Sequence, residues 1–260
     1  MSEPSSAALP AERIELVRAF VQDRQRASVS DIVDQFGVSP ATARRMLTAL
    51  ADRGDVRRVR GGAIAASPAA PEPPVLLRAS QQAEAKVRIG HAAADLVADG
   101  ETVFLSSGTT ALEVARCLAE RTGLTVVTNS IPVLNVLMDA PGIEVVVLGG
   151  LLRRSEQSLI GHLSELGLQE VRASKVILGI RGVHPQHGLT NDYLPETQTD
   201  RAVLAMGASV VLVADHTKCG AVSTAYVGPV AAIDVLVTDD AAPREFVQAM
   251  DAEGVRVVLA

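Results

Sequence analysis

Thr102-Val103-Phe104-Leu105-Ser106-Ser107-Gly108-Thr109-Thr110-Ala111-Leu112 decides the fold of the longer part of this 260-residue chain. An uninterrupted β-branched and apolar run feeds a Ser/Gly/Thr turn, and a segment of helical character follows. Such a run, bounded by a turn and followed by a helix, is what a strand of a parallel sheet covered on both faces looks like. The turn also leaves backbone N–H groups at a helix start beside three or four hydroxyls, which suits a phosphate or another anion.

Outward from this stretch the pattern repeats. Seven strands are expected, at Thr102–Leu105, Thr125–Thr128, Glu144–Leu148, Lys175–Gly179, Ser209–Val213, Asp234–Val237 and Arg256–Leu259. Between them lie segments long enough for crossover helices, such as Ala111–Glu120 and Glu196–Gly207. The expected architecture is α/β, with a mainly parallel, doubly covered sheet. In such sheets ligands bind outside the carboxyl ends of the strands. Three polar or glycine-rich loops fall there: Ser106, Ser107, Gly108, Thr109 and Thr110; Thr128, Asn129 and Ser130; and Gly149 with Gly150. A fourth group, Asp215-His216-Thr217-Lys218, follows the strand ending at Val213, and Lys218 could neutralise an anion there.

The first sixty residues read differently. Ala11–Arg24 places Ile14, Val17, Phe20 and Val21 on one helical face, and Ser30–Phe36 fits a second helix with Ser30 as N-cap and Gly37 as stop. Ser39-Pro40 opens a third helix running to about Arg53, closed by Gly54. Two short helices around a tight glycine turn make a helix-turn-helix, and Val56-Arg57-Arg58-Val59-Arg60-Gly61-Gly62 reads as a basic two-stranded wing. In that motif the second helix reads base edges from its N-terminal residues while nearby cations hold phosphates. Ser39, Ala41, Thr42, Arg44, Arg45, Arg57, Arg58, Arg60 and Gly61 are the expected contacts to double-stranded DNA. Ala65–Pro74 holds four prolines and no large apolar side chain, so it reads as a linker. The expected division is a winged helix-turn-helix at 11–64, a linker at 65–75 and an α/β domain at 76–260.

Charge agrees with this division. The chain carries −6 overall, but residues 1–65 hold ten Lys and Arg against eight Asp and Glu, and residues 66–260 fourteen against twenty-two. Within Ser39–Gly62 six arginines face only Asp52 and Asp55, a local basic patch on an acidic protein. Cys117 and Cys219 have no Cys or His at ligand spacing, so neither a disulfide framework nor a zinc site is expected. His184-Pro185-Gln186-His187 is no better a metal site, because Pro185 breaks the helix that would align the rings. No long apolar span and no basic-then-apolar leader is present in this sequence, so a cytoplasmic address and no membrane contact are expected.

Taken with their spacing, Val38-Ser39, Thr42, Arg44-Arg45, Leu47, Leu50, Gly54 and Arg58-Val59-Arg60-Gly61-Gly62-Ala63 resemble the head of the DeoR family of sugar-metabolism regulators. Arg78, Lys86, Ser107-Gly108-Thr109-Thr110, Thr128-Asn129-Ser130, Gly149-Gly150, Gly188-Leu189-Thr190, Glu196 and Asp215 to Lys218 resemble its sensor half. The resemblance implies a sensor similar to the ribose-5-phosphate isomerase and glucosamine-6-phosphate deaminase fold, binding phosphorylated sugars without turnover. It implies a repressor of carbohydrate-metabolism genes with no cofactor, and it adds Glu196 to the effector set. Ala43 and Met46 stand where the family usually has Ile or Val and Asp, and Ser106 where it often has an acid.

Two other readings remain open at this point. A sugar-phosphate isomerase or deaminase would need a general base, for which Asp215, Glu196 and Asp192 are candidates. An architectural DNA-binding protein would gain nothing from polar strand ends. A regulator with a DNA-reading head also implies a homodimer or homotetramer, since one small head makes too few contacts for specific binding.

Overall fold

The computed structural model describes residues 14, 16–18, 20–21, 26–52, 56–59, 61–65, 75–206 and 209–260. They fall into two compact units, Met1–Glu72 and Pro73–Ala260. Most of the expected first helix, Arg53, Gly54, Arg60 and residues 66–74 of the expected linker lie outside the described residues.

In the first unit, strand β1 (Arg26–Ser28) leads into helix Val29–Phe36, which is followed by helix Pro40–Asp52, β2 (Val56–Val59) and β3 (Gly62–Ala65). The wing is three-stranded, because β1 pairs antiparallel with β3 beside the β2–β3 hairpin. The added strand supports a hairpin that would be marginal by itself. The N-cap of the first of these helices is Ser28, not Ser30. Ser28 is extended, its side chain accepts from the Asp31 backbone N–H, and Asp31 in turn accepts from Ser28 N at 2.7 Å. This reciprocal box satisfies two helix-end donors at once, which Ser30 is placed too late to do. Gly37 closes the helix in the left-handed conformation at φ 62, where an L side chain is strained. Val17, Val21, Ile32, Val38, Ala43, Leu47, Leu50 and Val56 are among the residues forming the unit's core.

The second unit is built on seven strands, β4 (Thr102–Leu105), β5 (Leu124–Thr128), β6 (Ile143–Val147), β9 (Lys175–Gly179), β12 (Val210–Val213), β14 (Val235–Thr238) and β15 (Arg256–Leu259). Their order is β15-β14-β12-β9-β4-β5-β6, and every adjacent pair is parallel. Successive side chains enter opposite cores. Phe104, Val127, Leu178 and Leu212 face one layer with Leu168, Val203, Phe246 and Met250 of the helices His162–Glu170, Thr197–Met206 and Arg244–Ala252. Val103, Leu105, Ile177 and Val213 face the other, with Ile89, Val114, Leu118 and Leu137 of Ala83–Ala94, Thr109–Leu118 and Ile131–Leu137. Burial on both faces is why most of these strands are runs of consecutive apolar residues rather than alternating ones, while the edge strands β6 and β15 carry Glu144 and Arg256.

Two small sheets lay outside the sequence expectation. β7 (Leu151–Arg153) and β8 (Ser158–Ile160) form a hairpin, and β10 (Gly182–His184), β11 (Gly188–Asn191) and β13 (Ala225–Gly228) form an antiparallel sheet. Two helices differ from expectation at their ends: Thr109–Leu118 starts directly after Gly108, and Thr197–Met206 follows a 3-10 turn at Leu194–Glu196.

Candidate functional site

Helix Pro40–Asp52 divides its side chains cleanly. Ala43, Met46, Leu47 and Leu50 are buried, while Ala41, Arg44, Arg45 and Thr48 are exposed. Ser39 caps the helix: its hydroxyl accepts from Thr42 N at 3.2 Å and lies 2.9 Å from the Thr42 hydroxyl. Met46 therefore occupies a core-facing position, where an apolar side chain is stabilising. Gly61 is exposed at the β2–β3 turn, with φ 85, and its carbonyl accepts from Val29 N. A depression of about 430 Å³ brings Ser30, Pro40, Arg44 and Gly61 together, so the start of the second helix of the motif meets the wing turn. Arg57 and Arg58 lie in β2 by their backbone positions.

In the second unit the strand order reverses between β4 and β9: β5 and β6 are added on one side of β4, and β9, β12, β14 and β15 on the other. Loops leaving such a reversal diverge and open a crevice at the carboxyl ends. The Ser106–Gly108 loop leaves β4 at this point. Gly108 has φ 120, which suits only glycine, and helix Thr109–Leu118 begins immediately after it, with Thr109 and Thr110 buried. The first N–H groups of this ten-residue helix, with the positive end of its dipole, follow directly on the carboxyl end of β4 and its loop.

The neighbouring loops contribute unequally. Ser106 Oγ accepts from Gly179 N at 3.0 Å and donates to Ser107 O, tying β4 to β9. Thr128 Oγ1 donates to Leu105 O at 2.7 Å and accepts from Ser130 N, and Ser130 caps helix Ile131–Leu137. Asn129 Nδ2 donates to Leu159 O, whereas its buried Oδ1 has no hydrogen-bond partner among the described residues. A Cβ on Gly150 would lie 2.3 Å from Ser164 Oγ, so this glycine serves close packing, while the space beside Gly149 is open. Asp215 accepts from Thr217 N and from its hydroxyl. Lys218 stands in electrostatic reach of the buried Lys86, whose ammonium burial pushes down while Asp215 opposes that shift. Lys86 donates to the carbonyls of Arg78 and Gln81. His216, which the sequence placed near the ligand, has Nδ1 2.7 Å from Asp239 Oδ2.

Residues 81–240 match the DeoR C terminal sensor domain, and residues 13–69 the DeoR-like helix-turn-helix domain. The chain belongs to the DeoR family. It is 33% identical over 250 residues to the HTH-type transcriptional regulator GlpR of Haloferax volcanii, across 96% of this chain and 98% of that one. It is 32% identical over 231 residues to the glycerol-3-phosphate regulon repressor of Escherichia coli, across 89% and 91%. A ribose 5-phosphate isomerase from Methanocaldococcus jannaschii aligns at 18% identity with a TM-score of 0.41, over 53% of this chain and 55% of that one, too loosely to bear on function. DeoR-family proteins and these relatives are transcriptional regulators, so this chain is a DNA-binding transcriptional regulator and not an enzyme. No described helix of this DeoR-family chain is long and apolar enough to cross a membrane.

Beside the crevice, a buried ionic cluster was not legible in the sequence. Glu196 is paired with Arg153 and accepts from Ser158 Oγ at 3.2 Å. Glu156 is paired with Arg78 and has Arg181 at 3.7 Å. Burial raises the carboxyl groups of Glu156 and Glu196 above the usual range, against the pull of Arg78 and Arg153 respectively. Asp200 receives a hydrogen bond from Asn191 at 2.6 Å, and burial, with Glu196 adding, pushes it up to about 8.

Asp200 is thus protonated in the folded protein at neutral pH. In the unfolded chain it ionises near its ordinary 3.8. The folded state holds the extra proton between these values, so stability falls as the pH rises through that window. Asp200→Asn is expected to flatten the fall, read as the urea midpoint measured from about pH 5 to pH 8. An unchanged slope would remove Asp200 from the account.

Proposed function

We propose that the chain represses carbohydrate-metabolism genes and that a phosphorylated sugar, bound at the strand ends, sets its affinity for the operator. The observation that carries this reading is the Ser107–Thr110 segment, a glycine-hinged helix start placed where the strand order of the sheet reverses. Backbone N–H groups and a helix dipole at such a point favour a phosphate. The effector-binding set is Ser106, Ser107, Gly108, Thr109, Thr110, Thr128, Asn129, Ser130, Gly149, Gly150, Glu196, Asp215 and Lys218. Ser107, Thr109 and Thr110 surround the phosphate, whereas Ser106, Thr128, Ser130 and Gly150 hold the loops that shape the crevice. Glu196 anchors the wall through Arg153, and Lys218 supplies positive charge from the β12 end.

On DNA, Ser39, Ala41, Thr42, Arg44 and Arg45 enter the major groove, and Arg57, Arg58, Arg60 and Gly61 of the wing follow the backbone. Two or four copies place their heads on repeated half-sites. If the sugar phosphate induces, it binds the DNA-free state more tightly than the DNA-bound one, as linkage requires.

Thr109→Val tests the effector half. Valine keeps the shape of a residue that is 6% exposed but removes its hydroxyl. Effector affinity is expected to weaken roughly tenfold, about 1.5 kcal/mol, with operator affinity unchanged. The check is the effector concentration that half-releases labelled operator DNA. The same half-release concentration in variant and parent would contradict the assignment.

A further inference from the structure

Glu156 sits between β7 and β8 and is 6% exposed. Its two oxygens have different surroundings. Oε2 is paired with Arg78 and lies 3.7 Å from Arg181, so its charge is compensated on that side. Oε1 lies on the side of the anion loop: a Cβ built on Gly108 would be 3.8 Å from it, with no other atom within 4 Å. Asn129, next to this loop because Thr128 pairs with Leu105, has a buried Oδ1 with no hydrogen-bond partner among the described residues. The Ser106 hydroxyl at the start of the same loop is already committed to Gly179 N and Ser107 O.

We propose that Glu156 is a specificity-determining residue of the effector site. Its Oε1, with Asn129 Oδ1, accepts hydrogen bonds from hydroxyls of a polyhydroxylated phosphate monoester whose phosphate rests on the Gly108–Thr110 helix start. The proposal rests on the reading of that helix start as the phosphate site. A carboxylate is an acceptor only, so it rewards ligand donors. Because it is already paired through Oε2, it can stand beside a phosphate without an unbalanced charge. A site built around buried acceptors rejects analogues that lack the matching hydroxyl, since the acceptor is then left unpaired.

The test is calorimetric titration of the full chain at pH 8 with methyl phosphate, which has a phosphate and no hydroxyl, and with a panel of pentose and hexose phosphates. The parent should bind its best sugar phosphate at least tenfold more tightly than methyl phosphate. In Glu156→Gln, Arg78 and Arg181 draw the amide oxygen, which turns the amide N–H₂ toward the loop and replaces an acceptor by a donor. Methyl phosphate affinity should stay within about twofold while the preference for the sugar phosphate falls at least fivefold. Equal loss for both ligands, or an unchanged ratio, would overturn the role of Glu156. If methyl phosphate and the sugar phosphates bind the parent equally, only the role of Glu156 is overturned; if neither binds, the phosphate site falls too. Should Glu156→Gln not fold, monodeoxy analogues on the parent decide: a tenfold loss for at least one supports the proposal, and equal affinity for all overturns it.

Discussion

Leu47→Ala is expected to destabilise the helix-turn-helix unit by about 2–5 kcal/mol and to abolish operator binding with it. Leu47 is fully buried in a core that also holds Ile32, Leu50 and Val56, on the face of helix Pro40–Asp52 that also carries the buried Ala43 and Leu50. Truncation removes the transfer free energy of its side chain and leaves a cavity that small helices cannot close without moving. A domain of this size has a total stability of only a few kcal/mol, so one such cavity takes most of it. Sensor and head are separate compact units, which makes the effect readable as a lost low-temperature transition with the sensor transition retained. A head that melts at its original temperature would mean that Leu47 does not hold the recognition helix.

Arg45→Ala should give the complementary result: operator affinity weakened by about 1–3 kcal/mol at unchanged stability. Arg45 is exposed in the second turn of the same helix, two residues from the buried Ala43 and Leu47 on either side. A guanidinium there can make a bidentate contact with a guanine edge or a charge-assisted contact with phosphate. The two are separable by salt: loss of a phosphate contact reduces the slope of log affinity against log salt by about one, uniformly across sequences. Loss of a base contact relaxes selectivity at one position instead. Unchanged affinity with specific and non-specific DNA would place the reading helix elsewhere.

The parts of this fold that were legible in the sequence are those governed by a single period. Phe104, Leu105, Ile177 and Leu212 belong to runs that must be apolar throughout because both faces of their sheet are covered, and all seven strands were expected within a residue or so of where they lie. The three- and four-residue strands β1, β10, β11 and β13 carry no such signal. Gly188-Leu189-Thr190-Asn191 becomes a strand by pairing with Val183 across a short turn and with Tyr226 from far along the chain. The true cap was readable: Ser28 and Asp31 have the spacing of a reciprocal capping box, but Ser30 stands closer to the apolar run. At the effector crevice, residue type marked the right loops without separating ligand-facing groups from structural ones. Ser106 and Thr128 look identical in kind to Thr109, yet their hydroxyls tie strand ends together. Glu156, Arg78 and Arg181 come from three distant segments, and only folding brings their charges to Gly108.

The central claim is that one chain joins operator binding to a phosphorylated sugar, and fluorescence anisotropy tests it most directly. Labelled DNA from upstream of the protein's own gene is titrated with the full chain, alone and with each member of a panel of pentose and hexose phosphates. Specific binding that one sugar phosphate shifts by roughly 5–150-fold, the usual range of coupling between sites, is the predicted result. Specific binding that no phosphorylated sugar alters would contradict the coupling and leave the crevice without a regulatory role.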